Sequence, residues 1–155
     1  MASEEWRLRL EAADHFYALR RRANLAEFWA WLTRRCNRLL RFEELAGPRR
    51  AQPRLDGGYR HVPIHAIVGS VGRAQDFTPG FLPRASVEAE RWIRLYTALQ
   101  GLAGFPEVEL IQVGDRYIVE DGHHRISVAR AAGLTEIAAH VTYLPGAPAL
   151  GCCTG

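Results

Sequence analysis

The stretch Arg116-Tyr117-Ile118-Val119-Glu120-Asp121-Gly122-His123-His124-Arg125 decides the fold. Its first half is rich in β-branched and aromatic residues and reads as a strand. Gly114-Asp115 precedes it as a two-residue turn, and Val108-Glu109-Leu110-Ile111-Gln112-Val113 reads as the partner strand of a hairpin. On the far side of Gly122 the period changes. Ile126, Val128, Ala129 and Ala132 mark a helix over about residues 123–132, and Gly133 ends it from the C′ position. A hairpin therefore runs through one glycine straight into a helix.

That junction has the makings of an anion site. Gly122 lets the backbone turn sharply and approach a ligand with no Cβ in the way. A helix starting at His123 presents unpaired N–H groups and the positive end of its dipole. Arg125 adds a planar fork of donors, and His123 and His124 can donate to phosphate oxygens. Asp121 is a candidate N-cap or a ligand for Mg²⁺.

Working outward, a strand is expected at about 136–143 and another at about 60–68, where Val62, Ile64, Ala66 and Val68 alternate. Between the latter and the hairpin lie a long polar loop over residues 69–80, which carries Arg73 and Asp76, and a helix at about 87–100. Ser86 is its expected N-cap, and Ala89, Trp92, Ile93, Tyr96 and Leu99 form its core stripe. Residues 4 to about 45 carry apolar residues at helical spacing, with a break expected near Asn24. Their arginines, Arg20 to Arg22 and Arg34-Arg35, suit either a solvated face or contact with DNA, and the aromatics could supply a dimer contact. The expected division is a helical extension over 1–46, a linker over 47–59, an α/β (α+β) domain over 60–144 and a flexible tail over 145–155.

Composition limits the chemistry. The chain has 155 residues, 48% of them hydrophobic and 24% charged, which is ordinary globular usage. All 20 basic residues are arginine, so neither a Schiff base nor a P-loop lysine can form from this sequence. The net charge of +3 permits phosphate or nucleic-acid partners without demanding them. No apolar run approaches the ~18 residues of a membrane span, and the acidic start, Met1 to Glu5, is unlike a secretory signal, so a cytoplasmic protein is expected. Cys152-Cys153 has no histidine nearby to complete a metal site. His61 and His65 share one strand face and His140 lies on another strand, which is weak support for a metal centre.

Residues 61–144 resemble the N-terminal domain of the ParB/sulfiredoxin superfamily. The likeness runs from Val62-Pro63-Ile64 through Gly114 to Arg125 and on to Ala129-Arg130-Ala131-Ala132-Gly133-Leu134-Thr135-Glu136-Ile137. ParB proteins carry Gly-Glu-Arg-Arg at this turn and hold the triphosphate of CTP on it. Gly122 and Arg125 keep that pattern, while His123 and His124 replace the middle pair. Arg73 resembles the arginine in the loop after ParB's first strand. Sulfiredoxins carry Gly-Gly-Cys-His-Arg, so His123 stands where their catalytic cysteine would be and their sulfinic acid chemistry is ruled out. The Asp-Gly-His-Thr-Arg of ParB-like free serine kinases matches at Asp121, Gly122, His123 and Arg125. Those kinases use a glutamate in the loop after the first strand, where this chain has only Asp76 as an acid.

The resemblance implies a small mixed sheet with a hairpin-to-helix junction, preceded here by the helical extension. It also implies a nucleoside di- or triphosphate, with Mg²⁺, on Gly122, His123, His124, Arg125 and Arg73, in a regulatory or DNA-associated module. A small-molecule phosphotransferase with Asp76 as catalytic base, and a DNA-binding protein using the N-terminal helices, are the alternatives. A homodimer through those helices is a further expectation.

Overall fold

The computed structural model describes residues 2–101 and 104–146. In chain order it runs α1 (Ala2–Thr33), β1 (Leu40–Arg41), α2 (Phe42–Ala46), β2 (Leu55–Pro63), β3 (Ile67–Ser70), α3 (Ala89–Leu99), β4 (Val108–Val113), β5 (Arg116–Asp121), α4 (His123–Ala131) and β6 (Glu136–Tyr143). The strands form one mixed sheet in the order β1-β3-β5-β4-β6-β2. This is the expected α/β architecture, with the hairpin entering a helix and a long helix ahead of it.

The hairpin and its helix follow the sequence reading closely. Gly114 takes a positive φ of 64° at the β4–β5 turn. Gly133 (φ 81°) closes α4: its N–H donates to the Arg130 carbonyl, and the Leu134 N–H donates to the Ala129 carbonyl. Those two bonds are a Schellman motif. In β4, Val108 and Leu110 enter the main core, while Ile111 and Val113 enter a smaller one on the opposite face with Ile118 and Ala46. That alternation follows from the two-residue period of a strand.

Several expectations are corrected. The N-terminal helix is continuous through Asn24 and ends at Thr33 rather than near residue 45; Arg34 leaves it with a φ of 55°. Leu40–Arg41, expected as helix, pairs in parallel with Gly69 and Ser70 at the sheet edge. The strand expected at 60–68 is two strands. Pro63 has no N–H to continue a ladder, and a 3-10 turn over Ile64–Ala66 carries the chain from β2 at one edge to β3 at the other side of the sheet. β2 also starts at Leu55, inside the expected linker. Ser86 does not cap α3: Glu88 is the N-cap, and the Ser86 hydroxyl donates to Asp76 instead. Cys152 and Cys153 lie outside the described residues.

Helices α1, α3 and α4 share the main core on one face of the sheet, while α2 packs on the other. Ala12, Phe16, Leu19 and Ala23 of α1 are buried at four- and three-residue intervals. Phe16 meets Trp92 of α3 with ring centroids 5.4 Å apart, and Trp92 stacks on Tyr96 at 5.3 Å. The Trp92 indole N–H donates to Ser127 Oγ (3.0 Å), which donates in turn to the Phe81 carbonyl (2.7 Å). Buried polar groups satisfied in this way fix the angle of α4 against α3. Among the described residues, no helix is long and apolar enough to cross a membrane.

Candidate functional site

Gly122 is the hinge on which the site depends. It is the N-cap of α4, with φ 106° and ψ 21°, and no side chain caps the helix. A Cβ there would meet Val108 Cγ1 at 2.5 Å and Cβ at 2.8 Å, besides the strain of the left-handed backbone. The close approach of β4 and the sign of φ thus both require glycine. The first-turn N–H groups of α4 have no intrahelical partner by construction, and no side chain caps them.

The two histidines diverge into different surroundings. His123 is buried, and its Nε2 lies 2.6 Å from Ser70 Oγ, at the end of β3. Phe77, from the loop after β3, stacks on the His123 ring (6.4 Å, 14°) and meets the His124 ring edge-on (5.8 Å, 89°). His124 is 4% exposed, and its buried Nε2 has no hydrogen-bond partner among the described residues. Burial, then the positive charge of Arg73, lowers both imidazoles to about 4. Both rings are therefore neutral at pH 7. For His124, Arg91 of α3 adds to the effect.

Arg125 is not a free fork. Its Nη1 donates to the carbonyls of Pro106 (3.2 Å) and Glu107 (2.6 Å), and its Nη2 donates to Asp121 Oδ2 (2.5 Å). The guanidinium thereby straps the start of α4 to the segment entering β4. Asp121 remains largely exposed at the rim. Arg73 is held differently. Its Nε donates to Asp76 Oδ2 (2.6 Å) and its backbone N–H donates to Ser70 Oγ (3.1 Å). Its two terminal amino groups have no partner among the described residues. Asp76 also accepts from Ser86 Oγ (2.8 Å). Burial pushes its carboxyl up, but the Ser86 hydroxyl and the Arg73 guanidinium outweigh burial and leave it below the usual carboxylate range.

These groups enclose a recess of about 80 Å³ lined by Arg73, Arg91, Leu95 and residues 121–125. The structure thus brings together Gly122, His123, His124, Arg125, Asp121 and Arg73 as the sequence reading expected. It sets Asp76 behind Arg73, as a buttress. The sequence reading missed Arg91 and Leu95. Both lie on α3, and helical spacing alone could not say which of Arg91 and Arg94 turns towards α4. It also missed Ser70 as the partner of His123.

The remaining histidines form no common centre. His140 lies between Glu109 (Nδ1, 2.8 Å) and Asp56 (Nε2, 2.8 Å), on the far side of the sheet order from β3. No group of three or more His, Cys, Asp or Glu side chains that could hold a metal occurs among the described residues.

No family model matches the sequence, and no curated protein matches it. Among solved structures the chain is similar to sulfiredoxin from Arabidopsis thaliana, at 16% identity over 54% of this chain and 82% of that one, with a TM-score of 0.43.

Proposed function

We propose that the chain binds a phosphate-bearing small ligand, a nucleoside di- or triphosphate in the first instance, with one phosphoryl group seated at the start of α4. The observation that carries this reading is the convergence of Arg73 and Arg91, from two different elements, on a recess at the uncapped N-terminus of α4. Positive charge at a helix N-terminus, with backbone N–H groups uncapped, is an anion site on physical grounds. His124 lines the same recess, and its buried Nε2 has no hydrogen-bond partner among the described residues. A volume near 80 Å³ suits one phosphoryl group, since a water's share of liquid is about 30 Å³. The rest of a nucleotide would lie outside, towards Arg73 and Arg91. The likeness of the turn to the ParB motif supports a nucleotide as the source of that phosphate.

Mg²⁺ fits this arrangement only as a companion of the ligand. Asp121 offers one rim carboxylate, and Mg²⁺ is commonly held by one or two carboxylates plus substrate phosphates. Binding rather than transfer is the proposed role. A phosphotransferase would need Asp76 as base, yet both of its oxygens already accept hydrogen bonds and its carboxyl sits low. Of the arginines on α1, Arg9 pairs with Glu90 and Arg20 donates to the Arg84 and Val87 carbonyls, so these two are already engaged within the chain.

Calorimetric titration with inorganic phosphate and a panel of nucleoside di- and triphosphates, with and without Mg²⁺, tests the proposal. Arg73→Ala and Arg91→Ala should each weaken binding by at least about tenfold, since a hydrogen bond to a charged group contributes about 1.5–3 kcal/mol. Absence of heat with every ligand, or affinity unchanged in both variants, would refute it.

A further inference from the structure

The face of α1 turned away from the domain is as apolar as the face packed against it. Trp6, Leu10, Tyr17, Phe28 and Trp31 recur at intervals of 4, 7, 11 and 3 residues, which places them on one side of the helix. All are exposed, Trp6 at 62% and Trp31 at 75%. The stripe runs for roughly 38 Å at the rise of an α-helix. Exposed Asn24 interrupts it between Tyr17 and Phe28, but apolar surface of this extent on a folded chain marks an interaction site.

We infer that this face pairs two copies of the chain, antiparallel, about a two-fold axis near Tyr17. Charge placement gives the first argument. Asp14 and Arg21 stand three residues before and four residues after Tyr17, on one edge of the stripe, and both are exposed. Neither forms an ion pair among the described residues. In an antiparallel pair the same edges meet, so Asp14 of one copy comes beside Arg21 of the other, and the contact occurs twice. The whole helix has the same polarity: Glu4, Glu5, Glu11 and Asp14 leave its first half net negative, while Arg20 to Arg22 leave its second half net positive.

Area gives the second argument. At the exposures of the stripe and its neighbours Leu25 and Leu32, side chains of this size leave on the order of 800 Å² open per copy. One partner of a standard interface contributes about 800 Å². Self-pairing would therefore cover the stripe without help from a third molecule. An anionic bilayer is the poorer occupant, because a surface helix that binds one is basic on its polar face, and the first half of α1 is net acidic.

Sedimentation equilibrium of the full chain tests the inference, with far-UV circular dichroism as the check on folding. Wild type should run at twice the chain mass. Trp31→Glu, and separately Trp6→Glu at the opposite end, should give monomers that keep the helical signal. Asp14→Arg should raise the dimer Kd by about tenfold, and Asp14→Arg with Arg21→Asp should recover most of the loss. Wild type that stays monomeric overturns the inference, as does a dimer that survives both Trp6→Glu and Trp31→Glu. A wild-type monomer that floats with vesicles of anionic phospholipid would assign the face to a membrane surface instead.

Discussion

His123 Nε2 lies 2.6 Å from Ser70 Oγ, so the first residue of α4 is tied to the last residue of β3. Ser70 Oγ also accepts the Arg73 N–H, at 3.1 Å. One hydroxyl thus joins the helix that offers N–H groups to the loop that offers an arginine. Ser70→Ala strands the buried His123 nitrogen and should cost about 1–3 kcal/mol of stability. It should also weaken phosphate binding through misplacement of Arg73. Urea unfolding beside calorimetry would show both changes, and an unaltered urea midpoint would argue that the pair contributes nothing.

Acid should unfold this protein through the same two rings. In the unfolded chain histidine titrates near about 6.5, whereas His123 and His124 are lowered to about 4 in the fold. The unfolded state therefore takes up more protons between those values. Their contribution is complete above about pH 6.5 and declines as the pH falls towards 4. His124→Asn should flatten the decline between pH 6.5 and 4.5, measured as the urea midpoint against pH. A bound phosphate should raise the His124 value, a shift that ring proton resonances can follow.

His140 should behave in the opposite sense. The Glu109 carboxylate, and then Asp56, hold its value above the ordinary one. Its contribution is fully present below the unfolded value and fades as pH rises through the folded one. In a histidine NMR titration Glu109→Gln should lower the His140 value more than Asp56→Asn does. Equal shifts would reassign the stronger partner.

Gly122→Ala should be among the most damaging single changes. The left-handed backbone costs about 1–2 kcal/mol for an L-residue, and collision with Val108 adds about 1–3 kcal/mol. Gly133→Ala shares the positive φ but has open space around it, so it should cost only the first part. Thermal unfolding of the two variants makes the comparison.

Arg125 and Arg73 should separate stability from binding. Arg125→Lys loses the fork that holds the Pro106 and Glu107 carbonyls together with Asp121, because an ammonium cannot reproduce that planar geometry. A loss of stability of about 1–3 kcal/mol is expected. Arg73→Ala removes two terminal amino groups without partners among the described residues and one partly exposed ion pair to Asp76, and should lower stability by no more than about 1 kcal/mol. If Arg73→Ala destabilises as much as Arg125→Lys, Arg73 is a structural residue.

The strand-turn-helix junction was legible because glycine, period change and turn chemistry all agree there. Gly114, Gly122 and Gly133 each sit at a positive φ where the sequence placed a turn or a cap. Local patterns failed where tertiary pairing decided. Leu40–Arg41 is a strand only because β3 offers it an edge, and the alternation across Pro63 hides a change of side in the sheet. Within the site, residue types were readable and their allegiances were not. Arg125 looked like a ligand-binding fork, yet three carbonyl and carboxylate oxygens claim it. Arg91 was not singled out in the sequence at all, yet α3 sets it at the recess.

The strand order has a bearing on how the chain is made. β6 is the last strand among the described residues, and it alone holds β2, from Leu55↔Tyr143 to Pro63↔Glu136. A nascent chain emerging from the ribosome can close the β4–β5 hairpin early, but β2 must wait for residues synthesised long after it. Such high contact order slows folding and leaves an unpaired edge open meanwhile. A chain truncated just before Glu136 should therefore remain a sticky intermediate, whereas a released chain that extends through Tyr143 should give a protease-resistant domain.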